Sequence, residues 1–106
     1  MPRNGPLELT PLDKAARYTR LVYALCDLTR MSFLLRLDED GEVASGELRA
    51  TPGASRNPSK HIQVLVAAGL IEGRRESRNT YYSLSRAGSR LVDMINEMAE
   101  VVAREG

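Results

Sequence analysis

No helix can run through Thr51-Pro52-Gly53. Proline drives the residue before it out of helical geometry, and glycine supplies a flexible corner. Upstream, Ser45-Gly46-Glu47-Leu48-Arg49-Ala50 has room for two helical turns at most. Downstream, Ser55 is a candidate N-cap, and Pro58 is tolerable in a first turn where its missing amide hydrogen has no partner. Ile62, Leu65 and Val66 then form an apolar i, i+3, i+4 underside, and Gly69 after Ala67-Ala68 is a C-cap signal. Arg56, Lys60 and Gln63 fall at i, i+4, i+7 on another face. Two short helices around a Pro/Gly corner, the second polar outside and apolar beneath, outline a helix-turn-helix.

What precedes and follows that unit is patterned too. Pro2, Asn4, Gly5, Pro6 and Pro11 mark residues 1–11 as a flexible N-terminal arm, and residues 12–106 read as one folded unit. Leu12, Ala15, Tyr18, Leu21, Val22 and Leu25 recur near 3.6 residues, which predicts a first helix. Asp27 is a cap for a second, carrying Leu28, Met31, Leu34 and Leu35, and Asp38-Glu39-Asp40-Gly41-Glu42 reads as a solvated acidic loop. Leu70 to Arg75 and Thr80 to Leu84 suit two strands joined by Glu76-Ser77-Arg78-Asn79, a wing whose tip carries Arg74, Arg75 and Arg78. A last helix from Ser85 aligns Leu91, Ile95, Met98 and Val102, while Met94 and Val101 widen its apolar surface beyond what one flank of a small domain covers.

At 106 residues the chain supports one domain but not a second core. Its net charge of +1 hides an uneven distribution. Residues 54–90 hold seven basic and two acidic side chains, a local charge of +5, and the remaining eight basic and twelve acidic residues sum to −4. A basic middle between acidic ends suits a polyanion held on one face. The single cysteine, Cys26, allows no internal disulfide, and no stretch has the pattern of a signal peptide or a membrane span; the expectation is a cytoplasmic protein with no membrane partner. Cys26 itself, among apolar residues, reads as a small buried hydrophobe. One histidine and one cysteine cannot build a structural zinc site within one chain, and a Ser-His-Asp triad would have to use His61. With no activated nucleophile, phosphate loop or complete metal set, the expectation is not an enzyme.

Four words in the chain match one known family in order and spacing. Asp27-Leu28-Thr29-Arg30 resembles the D-P-T-R that opens the second helix of the ArsR/SmtB bacterial transcriptional regulators. Ser59-Lys60-His61-Ile62-Gln63-Val64-Leu65 is similar to their S-R-H-L-x-x-L recognition-helix core, Ala68-Gly69-Leu70 to the A-G-L turn, and Arg74-Arg75-Glu76 with Tyr81-Tyr82-Ser83-Leu84 to the wing. The resemblance spans Leu12 to Val102. It implies a mainly α chain with a small β-hairpin, in the winged helix-turn-helix order α-α-α-α-β-β-α, dimerising through its first and last helices. His61, in that resemblance, has a structural role in the recognition helix. Leu28 stands where the family has proline, and Pro58 where an ordinary helix residue is common. MarR-like and PadR-like winged helices would differ mainly in wing length and dimer arrangement.

The function so implied is sequence-specific binding of a double-stranded DNA operator by a homodimer. Candidate DNA contacts are Ser55, Arg56, Asn57, Ser59, Lys60 and Gln63 on the recognition helix, with Arg74, Arg75, Arg78 and Asn79 on the wing. Arg, Asn and Gln carry the bidentate geometries that read guanine and adenine, and Ser55 with the helix-start amides suits a phosphate. Leu12, Tyr18, Leu21, Leu91, Met94, Ile95, Met98, Val101 and Val102 are the candidate dimer interface, which would set two recognition helices on half-sites about 34 Å apart. The stretches that hold metal ligands in metal-sensing family members contain no cysteine or histidine here, and carboxylates alone select borderline metals weakly. A nickel or zinc ion is thus an open cofactor with no assigned ligands. The alternative job for the same fold is a protein-interaction adaptor that binds a partner regulator.

Overall fold

Two capping residues set where the first helices begin in the computed structural model, which describes residues 8–54 and 56–106. Helix α1 (Pro11–Leu25) follows Thr10, whose hydroxyl accepts the Asp13 amide at 3.1 Å while the Asp13 carboxylate accepts the Thr10 amide at 3.1 Å. This reciprocal capping box starts the helix at Pro11, inside the expected arm, and residues 1–7 of that arm lie outside the described residues. Helix α2 (Leu28–Asp40) is capped by Asp27, which accepts the amides of Thr29 and Arg30 at 2.8 and 3.2 Å. The expected acidic loop is corrected here: Asp38, Glu39 and Asp40 finish α2, and Gly41 turns the chain at φ 86°.

Glu42–Ala44 is a strand, β1, that periodicity does not reveal because three residues carry too little pattern. Then come α3 (Ser45–Arg49), α4 (Pro58–Ala67), β2 (Ile71–Glu76), β3 (Asn79–Leu84) and α5 (Arg86–Glu105). The sheet is three-stranded and antiparallel, in the order β1-β3-β2, rather than a lone hairpin. Its wing is tighter than expected: Glu76 pairs with Asn79, leaving a two-residue turn at Ser77-Arg78, with Ser77 at φ 58°. Gly73 faces Tyr82, whose ring would lie 3.1 Å from any side-chain carbon added there, so a residue without one lets the ring fold across β2.

Helix α2 is the centre of the core. Its Phe33, Leu34 and Leu37 are fully buried with Leu48 of α3, Leu65 of α4, Leu70 and Ile71 at the start of the sheet, and Val92 of α5. Each such side chain contributes about 1.5–3 kcal/mol through removal from water. The α3–α4 corner is pinned from α2 as well: Arg36 Nη1 donates to the Glu47 carbonyl at 2.7 Å and to the Thr51 hydroxyl at 3.1 Å. Thr51, Pro52, Gly53 and Ala54 close a β-turn, with the Ala54 amide on the Thr51 carbonyl at 3.0 Å and Gly53 at φ 88°.

Helix α4 ends as its sequence suggests. Gly69 adopts φ 77°, its amide donates to Val66, and the Leu70 amide donates back to Leu65, a Schellman closure sealed by the burial of Leu65 and Leu70. Ser85 ties this turn to α5: its hydroxyl accepts the Gly88 amide at 3.0 Å and donates to the Gly69 carbonyl at 2.6 Å.

Both end helices leave the body. Ala24 is the one buried residue of α1, and in α5 burial stops at Val92, so the helix beyond Ile95 runs past the core for about 15 Å. The radius of gyration is 16.2 Å, against about 13 Å for a closed domain of this length.

Candidate nucleic-acid interface

Helix α4 sorts its residues onto two faces at 100° per residue. Ile62 and Leu65 are buried, His61, Val64 and Ala68 half-buried, and Ser59, Lys60, Gln63 and Ala67 look outward. Gln63 is central on that outer face, one turn from both Ser59 and Lys60. Two expectations are corrected. The helix starts at Pro58 behind Asn57, so Arg56 and Asn57 precede it and Arg56, Lys60 and Gln63 do not form one helical line. Ser55 lies outside the described residues. Arg56 and Asn57 are exposed at the entrance to α4, and Asn57 makes no side-chain cap bond to the helix. Val66, expected in the underside, is 43% exposed on the edge of the outer face beside Ser59. Sequence reasoning missed it because an isolated apolar residue beside Leu65 scores as core on either side of the boundary.

The wing separates its arginines. Arg74 points to the outer side of the sheet, crosses β3 to Glu42 of β1 with bonds of 3.0 and 2.8 Å, pairs with Glu76, and stacks over Tyr81 at 5.0 Å. The same two carboxylates hold the guanidinium firmly charged, and Arg74 in turn holds the Glu42 carboxyl below the usual glutamate range. Of the three arginines expected at the wing tip, Arg74 is the one engaged within the chain, where it braces the sheet. Arg75 and Arg78 are exposed and make no ion pair or side-chain hydrogen bond among the described residues, and Asn79 is exposed at the far end of β3.

Between α1 and α4 runs an apolar groove of about 760 Å³, bordered by Tyr18, Leu21 and Tyr23 on one side and Val64, Ala67 and Ala68 on the other. Near its base lies Arg30, 6% exposed. Burial of a guanidinium requires that its donors be met. Nε donates to the Ala24 carbonyl at 2.7 Å, Nη2 to the Tyr23 carbonyl at 2.9 Å, and Nη1 to His61 Nδ1 at 2.9 Å, with the Tyr23 ring 5.3 Å away. Arginine only donates, so Nδ1 of His61 accepts and the ring proton is on Nε2 in this geometry. Asp27 Oδ1 is 3.7 Å from the same nitrogen. Burial works against the Asp27 charge, yet the Arg30 and Thr29 amides and the Arg30 guanidinium keep its carboxyl below the usual range.

Of the candidate dimer residues, Leu12, Tyr18, Leu21, Met94, Met98 and Val102 are exposed, the last three at 61–62%. Leu91, Ile95 and Val101 are half-buried in their own chain. A second apolar hollow, about 450 Å³, lies along α5 between Ile95 and Ala103. Cys26 is exposed, correcting the expectation of a buried thiol, because it ends α1 where the chain leaves the core. Among the described residues no group of three His, Cys, Asp or Glu side chains is placed to hold a metal ion, and no helix is long and apolar enough to cross a membrane.

No family model and no curated protein matches the sequence. Solved structures do match the fold. A homodimeric winged helix-turn-helix DNA-binding domain from Mycobacterium bovis, described as a possible ArsR-family transcriptional regulator, superposes with a TM-score of 0.77 at 24% identity, over 95% of this chain and 96% of its own. NolR from Sinorhizobium fredii gives 0.72 at 26%, over 88% and 96%, and HlyU from Vibrio vulnificus 0.63 at 26%, over 80% and 90%. By fold the chain is a winged helix-turn-helix domain, like the solved Mycobacterium bovis domain over nearly the whole of both chains.

Proposed function

We propose that the chain is a sequence-specific DNA-binding transcriptional regulator of the ArsR/SmtB type, acting as a homodimer on a two-fold symmetric operator. The observation that carries this reading is the outer face of α4, where Ser59, Lys60 and Gln63 stand exposed over a buried underside. A helix so divided can enter the major groove, where Gln63 has the bidentate geometry for adenine and Lys60 pairs with guanine or a phosphate. Val66 supplies a methyl surface for thymine. Arg56 and Asn57 stand at the helix entrance, and without a side-chain cap from Asn57 the first-turn amides are oriented for a phosphate, joined by Ser55 in this reading. Arg75, Arg78 and Asn79 contact the neighbouring backbone, and Arg74 acts by keeping the wing rigid.

The exposed stripes of α1 and α5 support the dimer. Three methionine and valine side chains left in water along a projecting helix require a cover, and a second copy supplies two recognition helices at once. The same stripes favour a second reading, in which a different regulator covers them. A protein that reads DNA in this way works in the cytoplasm.

The test is selection of duplexes from a random-sequence pool by the purified chain, followed by titration of the enriched duplex at several salt concentrations and by mass measurement in solution. An inverted-repeat duplex, bound more weakly as salt rises by a dimer-sized species, supports the proposal. A monomer that enriches nothing overturns it in favour of the adaptor.

A further inference from the structure

We infer that Arg30 is a positioning residue for the recognition helix: by bonding His61 of α4 and the last carbonyls of α1 together, it lets α1 set the angle at which Gln63 meets DNA. This rests on the DNA-binding reading above. The two helices are separated by the apolar groove, so contact across it does not fix their relation. Beneath the groove, the Arg30 guanidinium holds the Tyr23 and Ala24 carbonyls at 2.9 and 2.7 Å and His61 Nδ1 at 2.9 Å.

The two ends of α4 are held differently. Its C-terminal end is locked by the Gly69 turn and by the burial of Leu65 and Leu70. Its N-terminal half has no side-chain cap from Asn57 and is anchored by Ile62 and by the His61–Arg30 bond. On the helical wheel His61 lies opposite Gln63, about 160° around at 100° per residue. Loss of the His61 anchor therefore tilts the outer face while leaving the core side chains in place. The carbonyls of Tyr23 and Ala24 are among the last of α1, the first of them also accepting the Cys26 amide at 3.2 Å, and the negative end of that helix favours the guanidinium. Because α1 carries Tyr18 and Leu21 on its exposed stripe, whatever covers α1 also acts on α4 through Arg30.

The test compares the full chain with His61→Leu, which fills similar space without an acceptor, with His61→Gln, which keeps an acceptor oxygen, and with Arg30→Lys. Binding is measured by fluorescence anisotropy to the duplex enriched by the wild-type chain and to a scrambled duplex of equal length, with thermal unfolding followed in parallel. His61→Leu and Arg30→Lys are expected to lose about tenfold on the enriched duplex and to hold their affinity for the scrambled one, with His61→Gln recovering most of the loss. Non-specific binding rests on charge and needs no exact helix angle, whereas partial unfolding lowers both affinities alike. An unchanged ratio between the two duplexes, equal losses on both, or His61→Gln behaving as His61→Leu overturns the inference alone. A wild-type chain that enriches no duplex overturns the DNA reading and this inference with it.

Discussion

Gly88 lies so close to Leu70 that a side-chain carbon added to it would sit 2.0 Å from the Leu70 carbonyl oxygen. That oxygen also accepts the Ser85 amide at 3.0 Å, so the start of α5, the end of α4 and the start of the sheet meet at one point. Backbone on both sides leaves no flexible side chain to give way. Gly88→Ala is therefore expected to destabilise the fold by at least about 1 kcal/mol, although alanine favours helix by a similar amount. A fall in Tm of several degrees at fixed protein concentration is the expected reading, and an unchanged Tm would show that α5 can slide away from Leu70 without cost.

Met98 is 61% exposed on the part of α5 that projects beyond the core. If a second copy covers it, an aspartate there is buried without a partner. Met98→Asp is expected to raise the dimer dissociation constant about 30-fold or more while leaving the helix content of the monomer intact. Sedimentation at graded concentrations checks this. Equal dissociation constants for the two proteins would remove α5 from the interface.

Much of this architecture is legible in the residues, and the misses share a cause. Asp27, Gly69 and Ser85 announce helix ends because cap chemistry is local, and the Thr51-Pro52-Gly53 corner does so because proline and glycine act on the backbone itself. The outward placement of Lys60 and Gln63 follows from the 3.6-residue repeat. Strand β1 and the engagement of Arg74 are invisible for the opposite reason. Glu42 and Arg74 are 32 positions apart, and only the folded sheet brings them together. Arg30 likewise looks like an ordinary charge on a helix, and its burial between two other helices depends on tertiary packing that no local pattern encodes.

The Glu42–Arg74 pair has a pH signature. Its hydrogen bond from Arg74 holds the Glu42 carboxyl below the ordinary glutamate value of 4.5, with burial opposing. A carboxylate depressed in the folded state stabilises that state fully above its unfolded value and loses the contribution as pH falls through its folded one. Both partners are 40–49% exposed, so solvent screens the pair and its overall effect on unfolding is small. The local effect is larger, because Glu42 begins a three-residue strand. Glu42→Gln is expected to speed amide exchange at Val43 and Ala44 at neutral pH, with the difference from wild type closing as acid takes the pH down through the depressed Glu42 carboxyl. A difference that persisted in acid would mean that the ion pair does not hold β1.

Gln63 and Arg78 divide the work of DNA binding differently, and two measurements separate them. Gln63 is on the exposed face of α4, where an amide can pair with a base edge, so Gln63→Ala should cost about 1–3 kcal/mol on the enriched duplex and little on a scrambled one. Arg78 is at the two-residue tip of the wing, exposed and without an ion pair among the described residues, where a cation meets phosphate rather than sequence. Arg78→Ala should weaken both duplexes alike and lower the salt slope by about one ion. Arg74→Ala should instead weaken DNA binding only as far as it loosens the wing, because its charge is already answered by Glu42 and Glu76. Equal losses on both duplexes for Gln63→Ala, with no change of salt slope for Arg78→Ala, would take base reading away from α4 and phosphate contact away from the wing.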